Sequence, residues 1–265
     1  MAIYIPPNRR WSAVIPVYNE ERYLLRTLES LVAQAETVRV IVVDNGSTDD
    51  GIRAARAKFG GFRRVEFVEE PVPGQVHALA RGLALADGEF VAVCDADTWY
   101  PPHYLTVAET LLDTGGESCV AASAWLRPER GGMVRTLGRQ LHVRSAMTFL
   151  PRQNHTSGAA HCFRLAALRA AGGYDPLRWP FVLKDHELFH RVLQLGFQAH
   201  AADLWCISSD RRSDRRAVRW TLLERLAYHL TPFHLKDRFF HGFLADRFRR
   251  RGQADTVLRQ RSWLL

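Results

Sequence analysis

The chain has 265 residues, 47% of them hydrophobic, and a net charge of +8. That is enough apolar material for one large α/β domain, but no apolar run reaches the roughly 18–20 residues that would span a bilayer. The opening stretch MAIYIPPNRRW lacks the apolar h-region of an export signal, so a cytoplasmic protein is expected, with the inner membrane face as its furthest reach. Cys94, Cys119, Cys162 and Cys206 are widely spaced and form no C-x-x-C pair, which predicts reduced, buried thiols in place of a disulfide framework or zinc site.

Trp11–Tyr18 reads as a strand stopped by a proline and polar residues, and 20–35 as a helix with Tyr23, Leu24, Leu28, Leu31 and Val32 on one stripe. The β-branched run 38–47 fits a strand buried on both faces of a parallel sheet. Ser47 or Thr48 is placed to cap a helix over 49–58. Phe67 and Val68 mark a short strand, 71–74 a loop, 75–86 a helix, and 89–97 another buried strand ending in acids. Through residue 112 the order is β-α-β-α-β-α-β-α, the pattern of a doubly wound, mostly parallel sheet. Past residue 115 the alternation weakens. An irregular loop is expected at 172–180, a helix at 185–195, and a basic, aromatic, helix-prone stretch over 214–250.

Polar residues fall just beyond successive strand ends: Asn19 and Glu20, then Asp44 and Asn45, then Asp95 and Asp97. Ligands of open parallel sheets bind at that carboxyl edge. Asp95 and Asp97 flank a small residue and, at i and i+2, share a face. Two such carboxylates suit a hard divalent cation, Mn2+ or Mg2+, held against a diphosphate; taken alone, a D-x-D is more often a turn or a cap. Asp44 admits two readings, turn closure before Asn45-Gly46 and hydrogen bonding to a base or ribose. Asp185 and Glu187 open a helix, where acids are favoured by the dipole and where one could also serve as a general base. Arg211 and Arg212 offer paired forks for a diphosphate, or a plain solvated cluster.

The segments VIPVYNE (14–20), VVDNGSTD (42–49), PGQVHALARGLALADGEFVAVCDAD (73–97) and GGYD with KDHELFHRVLQLG (172–196) resemble family 2 glycosyltransferases in order and spacing, over roughly residues 11–200. The resemblance implies the A-type glycosyltransferase fold, a Rossmann-like nucleotide-binding half joined to an acceptor half, and inversion at the anomeric carbon. It further implies that Pro16, Tyr18 and Glu20 line the nucleotide pocket and that Asp44 contacts the base. Asp95 would meet the ribose or the metal, Asp97 would be the principal metal ligand, Asp185 the catalytic base and Glu187 a second acid on the acceptor side. Arg211 and Arg212 would face the diphosphate. Asn45 stands where many members carry Asp, and Lys184 where they carry Glu. The Gln-x-x-Arg-Trp segment of processive synthases is missing from the sequence, which favours single-sugar transfer.

The expected organisation is a catalytic domain over 1–210, with a nucleotide-binding half at about 11–112 and an acceptor half at about 113–210, followed by a basic, aromatic helical extension over 211–265. The resemblance implies a nucleotide-diphosphate sugar as partner, with uridine diphosphate as carrier because it is the commonest in the family and guanosine or thymidine diphosphate as alternatives, and a hydroxyl acceptor, a lipid-linked glycan on an anionic membrane surface being one candidate. Two other classes compete. A nucleotidyltransferase would need a glycine-rich loop after the first strand, where this chain has PVYNEER. A basic nucleic-acid- or membrane-binding protein on a degenerate scaffold would need its arginines interleaved with exposed aromatics, and no nucleic-acid partner is expected.

Overall fold

The computed structural model describes residues 10–35, 37–129, 132–156, 158–209 and 220–260. Its first half follows the alternation read from the sequence. β1 (Trp11–Val17), α1 (Leu24–Val32), β2 (Val38–Asp44), α2 (Gly51–Phe59), β3 (Val65–Glu69), α3 (Gln75–Leu85), β4 (Phe90–Val93) and α4 (Tyr104–Thr114) appear in that order, with a short β5 (Thr98–Trp99) before α4. The helix predicted from 49 has no side-chain cap. Its N-cap is Asp50, because Ser47 is spent on the neighbouring loop, its Oγ accepting from the Asn19 N–H.

The second half contains β6 (Cys119–Ser123), β7 (Trp125–Leu126), α5 (Met133–Phe149), β8 (His161–Arg164), α6 (Leu165–Ala170), α7 (Lys184–Val192), β9 (Phe197–Ala199), β10 (Trp205–Ser208), α8 (Leu222–Leu230), α9 (Lys236–Arg238) and α10 (Ala245–Arg250). The main sheet runs β3-β2-β1-β4-β8-β6-β9. β1, β2, β3 and β4 are mutually parallel, while β8 runs antiparallel between β4 and β6. A second sheet, β5-β10-β7, pairs Ser208 with Thr98.

Two apolar layers sandwich the main sheet. On one face Trp11, Ala13, Ile15 and Val17 of β1 meet Leu24, Leu28 and Leu31 of α1 and Tyr104, Ala108 and Leu112 of α4. On the other, Val14, Ile41, Val43, Val91 and Val93 meet α3, α6 and α7 through Leu79, Leu83, Leu168, Leu188 and Phe189. The strict alternation of β1 is the period-2 geometry of a strand covered on both sides. All four cysteines are buried free thiols, and burial pushes the Cys162 thiol up to about 12.

The aromatic stretch after residue 220 forms a third cluster. Tyr228, Phe239, Phe240, Leu244 and Phe248 pack on Trp179 and Val182 of the loop before α7. Glu224 is fully buried within this unit. It closes a capping box with Thr221 and accepts from Arg247 at 3.1 Å and Arg251 at 2.7 Å. These aromatics are core residues, which removes them as a membrane-facing or nucleic-acid-stacking surface. Arg247 and Arg251 thereby neutralise one buried carboxylate.

Candidate active site

At its carboxyl edge the main sheet divides between β1 and β4. β1 pairs with β4 only from Trp11 to Val14, yet it continues alongside β2 to Val17. Pro16, which has no N–H to donate, sits beyond the last β4 partner. The strand order turns outward from β1 and β4 in opposite directions, the switch point at which open α/β sheets bind ligands.

The loops at this edge are tied to one another by side chains. Asn19 adopts a left-handed backbone, φ 54°, and its Oδ1 accepts from the Thr48 N–H at 2.7 Å. Asp44 Oδ1 accepts from the Ser47 N–H at 2.9 Å, so turn closure, one of its two readings, is realised at that oxygen. Asn45 is buried, and its amide is spent on backbone. It donates to the Glu70 and Val72 carbonyls, both at 2.8 Å, and accepts from the Gly74 N–H at 2.9 Å. Asparagine is needed there because aspartate lacks the two donors.

Asp95 and Asp97 lie just past β4, at 5% and 4% exposure. The backbone between them is fixed by Thr27, whose hydroxyl donates to the Ala96 carbonyl at 2.8 Å. Tyr100 accepts from the Asp95 N–H at 3.0 Å and donates to the Ala159 carbonyl at 3.1 Å. The second sheet delivers Ser209, which donates to Asp97 Oδ2 at 2.8 Å. Two near-buried carboxylates with oxygen-only chemistry fit a hard divalent cation that also takes oxygens from a diphosphate. Among the described residues no group of three or more His, Cys, Asp or Glu forms a ready-made metal cluster.

Asp185 is the second residue of α7, behind Leu183 at φ 60°. Tyr174 donates to its Oδ1 at 3.3 Å. The Tyr174 phenol is pushed well up, first by burial and then by the charges of both Asp185 and Asp95. A second chain of contacts joins the same two loops. Lys184 donates to Gln75 Oε1 at 2.7 Å, and Gln75 donates to Asp95 Oδ1 at 3.3 Å. The tertiary fold thus brings Asp185, which follows Asp95 by 90 positions, to the same edge as the D-x-D. Lys184, in the place where an acid was expected, bridges them.

Glu187 faces other partners. It is 1% exposed and receives Arg191 through two bonds, at 2.8 and 2.9 Å. Arg191 also donates to the carbonyls of Ala171 and Gly173. Burial pushes the Glu187 carboxyl up, but hydrogen bonds from His241 and Arg191 outweigh it and hold the group below its usual range. Arg211 and Arg212 lie outside the described residues.

Several site contacts carry no local signal in the sequence. Gln75 and Tyr174 sit inside the segments that carry the family resemblance, but nothing in their spacing marks them as site residues. Asp255 and Arg259 reach the edge from far along the chain. Asp255 Oδ2 accepts from the Val76 N–H at 2.8 Å, Lys184 Nζ stands 3.5 Å from Asp255 Oδ1, and the Arg259 guanidinium lies 3.8 Å from the centroid of the Tyr18 ring.

A family model described as Glycosyl transferase family 2 matches residues 12–171. The uncharacterized glycosyltransferase YibD of Escherichia coli (strain K12) is 30% identical over 126 residues, covering 47% of this chain and 37% of YibD. The uncharacterized glycosyltransferase YaiP of the same strain is 29% identical over 243 residues, covering 86% of this chain and 60% of YaiP. The chain therefore spans less than two thirds of the length of these relatives. Among solved structures, the mannosyltransferase PcManGT from Pyrobaculum calidifontis, in complex with GDP-Man and Mn2+, superposes with a TM-score of 0.66 at 22% identity, over 87% of this chain and 69% of that one. S. aureus TarS 1-349 superposes with a TM-score of 0.61 at 19% identity, over 91% and 72%. At such identities the two structures establish a shared fold.

Proposed function

The chain belongs to glycosyl transferase family 2, and from that premise we propose that it moves one sugar from a nucleotide-diphosphate donor to a hydroxyl acceptor with inversion. The observation that supports this is the contact path from the start of α7 to the D-x-D at the switch point: Lys184, next to Asp185, donates to Gln75, which donates to Asp95, while Tyr174 donates to Asp185. The nucleotide would lie along Pro16, Tyr18, Glu20 and Asp44, with its diphosphate toward Asp95 and Asp97. Those two carboxylates would hold Mn2+ or Mg2+, which when bound neutralises charge on the departing diphosphate. The complex of PcManGT with GDP-Man and Mn2+ supports a nucleotide-sugar donor and a divalent cation as the ligand classes.

Asp185 would accept the proton of the acceptor hydroxyl as that oxygen attacks the anomeric carbon from the face opposite the nucleotide. Tyr174 orients it through the 3.3 Å bond. Glu187 is assigned to holding α7 in place through Arg191, so its part on the acceptor side is indirect. Arg211 and Arg212 keep their proposed place against the diphosphate.

The acceptor is proposed to be lipid-linked, and the protein to meet an anionic membrane from the cytoplasmic side. The support is an apolar, acid-free face. α5 carries no Asp or Glu and leaves Met133, Val134, Leu137 and Leu141 exposed, and α8 exposes Leu222, Leu223, Leu226 and Leu230 while its one acid, Glu224, is buried. No helix among the described residues is long and apolar enough to cross a membrane.

Calorimetric titration with uridine, guanosine and thymidine diphosphates, with and without Mn2+, tests the donor site. One nucleotide should bind in a metal-dependent way that Asp97→Ala abolishes. Asp185→Asn should keep that binding while kcat falls about 10²–10⁴-fold. Near-normal turnover in Asp185→Asn would remove it as the base.

A further inference from the structure

We propose that segment 255–260 is a self-ligand of the donor site, with Arg259 occupying the place of the nucleobase on Tyr18 until a nucleotide evicts it. The proposal rests on the donor-site reading above.

The segment follows a fixed stretch of chain. Gln253 to Asp255 is anchored. Val182 donates to the Gln253 carbonyl at 3.1 Å, and Asp255 donates through its own N–H to the Pro180 carbonyl at 2.9 Å. The Asp255 carboxylate accepts from the Val76 N–H at 2.8 Å and stands 3.5 Å from Lys184, an ion pair whose side chains are only 9% and 10% exposed. This explains the lysine at position 184. Its charge is matched by Asp255 from outside the family-like region, and Lys184 in turn reaches Asp95 through Gln75.

Beyond Asp255 the chain makes a 3-10 turn and lays Arg259 across the nucleotide edge. The guanidinium is 3.8 Å from the Tyr18 ring centroid, the contact distance of packed atoms, so no base fits between them. Its Nη2 also donates to the Asn45 carbonyl, the end-of-strand acceptor beside Asp44, and lies 3.9 Å from where a Cβ on Gly46 would stand. A planar cation over an aromatic face with one hydrogen bond to strand-end backbone is the set of contacts a nucleobase would make there. Stacking there requires Arg259 to leave. Because the anchor ends at Asp255, only the turn must open.

A site closed by its own chain binds ligand with an affinity reduced by the open fraction. Cation–π attraction of this kind predicts that Arg259→Ala tightens nucleoside diphosphate binding roughly 3- to 30-fold. Arg259→Lys keeps the charge but loses the planar stack and fork, and should fall between.

The test is calorimetry of the full chain with uridine and guanosine diphosphates plus Mn2+, on the wild type, Arg259→Ala and Arg259→Lys. Amide exchange over 256–259 is followed alongside and should speed up on nucleotide binding. Weaker binding by Arg259→Ala would make Arg259 a donor ligand and overturn the proposal, as would equal binding by all three proteins. Binding by Arg259→Ala alone would support it most directly. Absence of binding in every protein would remove the donor-site reading and this proposal together, whereas wild-type binding that Arg259→Ala leaves unchanged removes this proposal alone.

Discussion

At Gly158 the room for a single hydrogen decides where Asp185 can stand. A Cβ built there would lie 2.5 Å from Asp185 Oδ1 and 2.7 Å from its Cγ, closer than side-chain atoms approach. Gly158→Ala should therefore displace the carboxylate without touching the nucleotide edge. Misplacement of a reacting group by about 1 Å can cost on the order of 10²-fold in rate, so kcat is expected to fall roughly 10- to 100-fold with nucleotide affinity unchanged. Parallel loss of nucleotide binding would show that the substitution damaged the fold and not the base. Asn45 teaches a related lesson. Its position next to Asp44 reads as a binding residue, but three bonds to backbone commit it to holding the loop at 70–74.

Helices α5 and α8 are the elements whose sequence pattern and environment disagree most with an isolated domain. α5 is a 17-residue helix that buries only Val143 and Met147, while Met133, Val134, Leu137 and Leu141 stay exposed. The two helices meet the same loop, for Gln153 Oε1 accepts from His229 Nδ1 at 2.7 Å and the Asn154 N–H donates to the Tyr228 hydroxyl at 3.2 Å. Interfacial binding grows with buried apolar area and with attraction to anionic lipid. The double substitutions Leu137→Glu/Leu141→Glu and Leu222→Glu/Leu226→Glu should each reduce sedimentation with phosphatidylglycerol vesicles at least about tenfold. Unchanged partitioning would remove the membrane reading. The aromatics after residue 220 are unsuited to this test, because their removal empties the cluster around Trp179.

Across the whole molecule, burial sets a lower limit to the pH range. His161 is 1% exposed, with its Nε2 2.7 Å from the Thr156 hydroxyl. Burial pulls its pKa down from 6.5 to about 4 against the attraction of Asp185, and His186 is lowered to about 4 by the same cause. The folded-state value lies below the unfolded one, so between pH 6.5 and 4 the unfolded chain binds protons that the folded chain refuses. Stability is fully present above about pH 6.5 and declines as pH falls toward 4, by about 3 kcal/mol at most for His161. Thermal unfolding followed from pH 7.5 to 4.5 should show this slope, and His161→Gln should flatten it. An identical slope in the variant would place the acid sensitivity elsewhere.

The alternation of β-branched runs with helical stripes through residue 112 was legible in the sequence because each strand there is covered on both faces, so its apolar pattern is local. The acids at the end of β2 and just past β4 were legible because each interrupts an apolar run that is covered on both faces. After residue 115 that logic fails. β8 enters the sheet antiparallel between β4 and β6, a pairing that depends on partners about 70 and 40 residues away, and α5 carries its apolar residues outward. The aromatic extension was visible as composition, but whether Phe239, Phe240 and Phe248 face lipid or Trp179 is a matter of what packs against them. Local sequence marked the sheet edge with Asp44, Asp95 and Asp97, and the family resemblance singled out Asp185. Tertiary structure alone decided that Lys184, Gln75, Asp255 and Arg259 share that edge, because long-range contacts are set by where the chain returns and leave no periodicity behind.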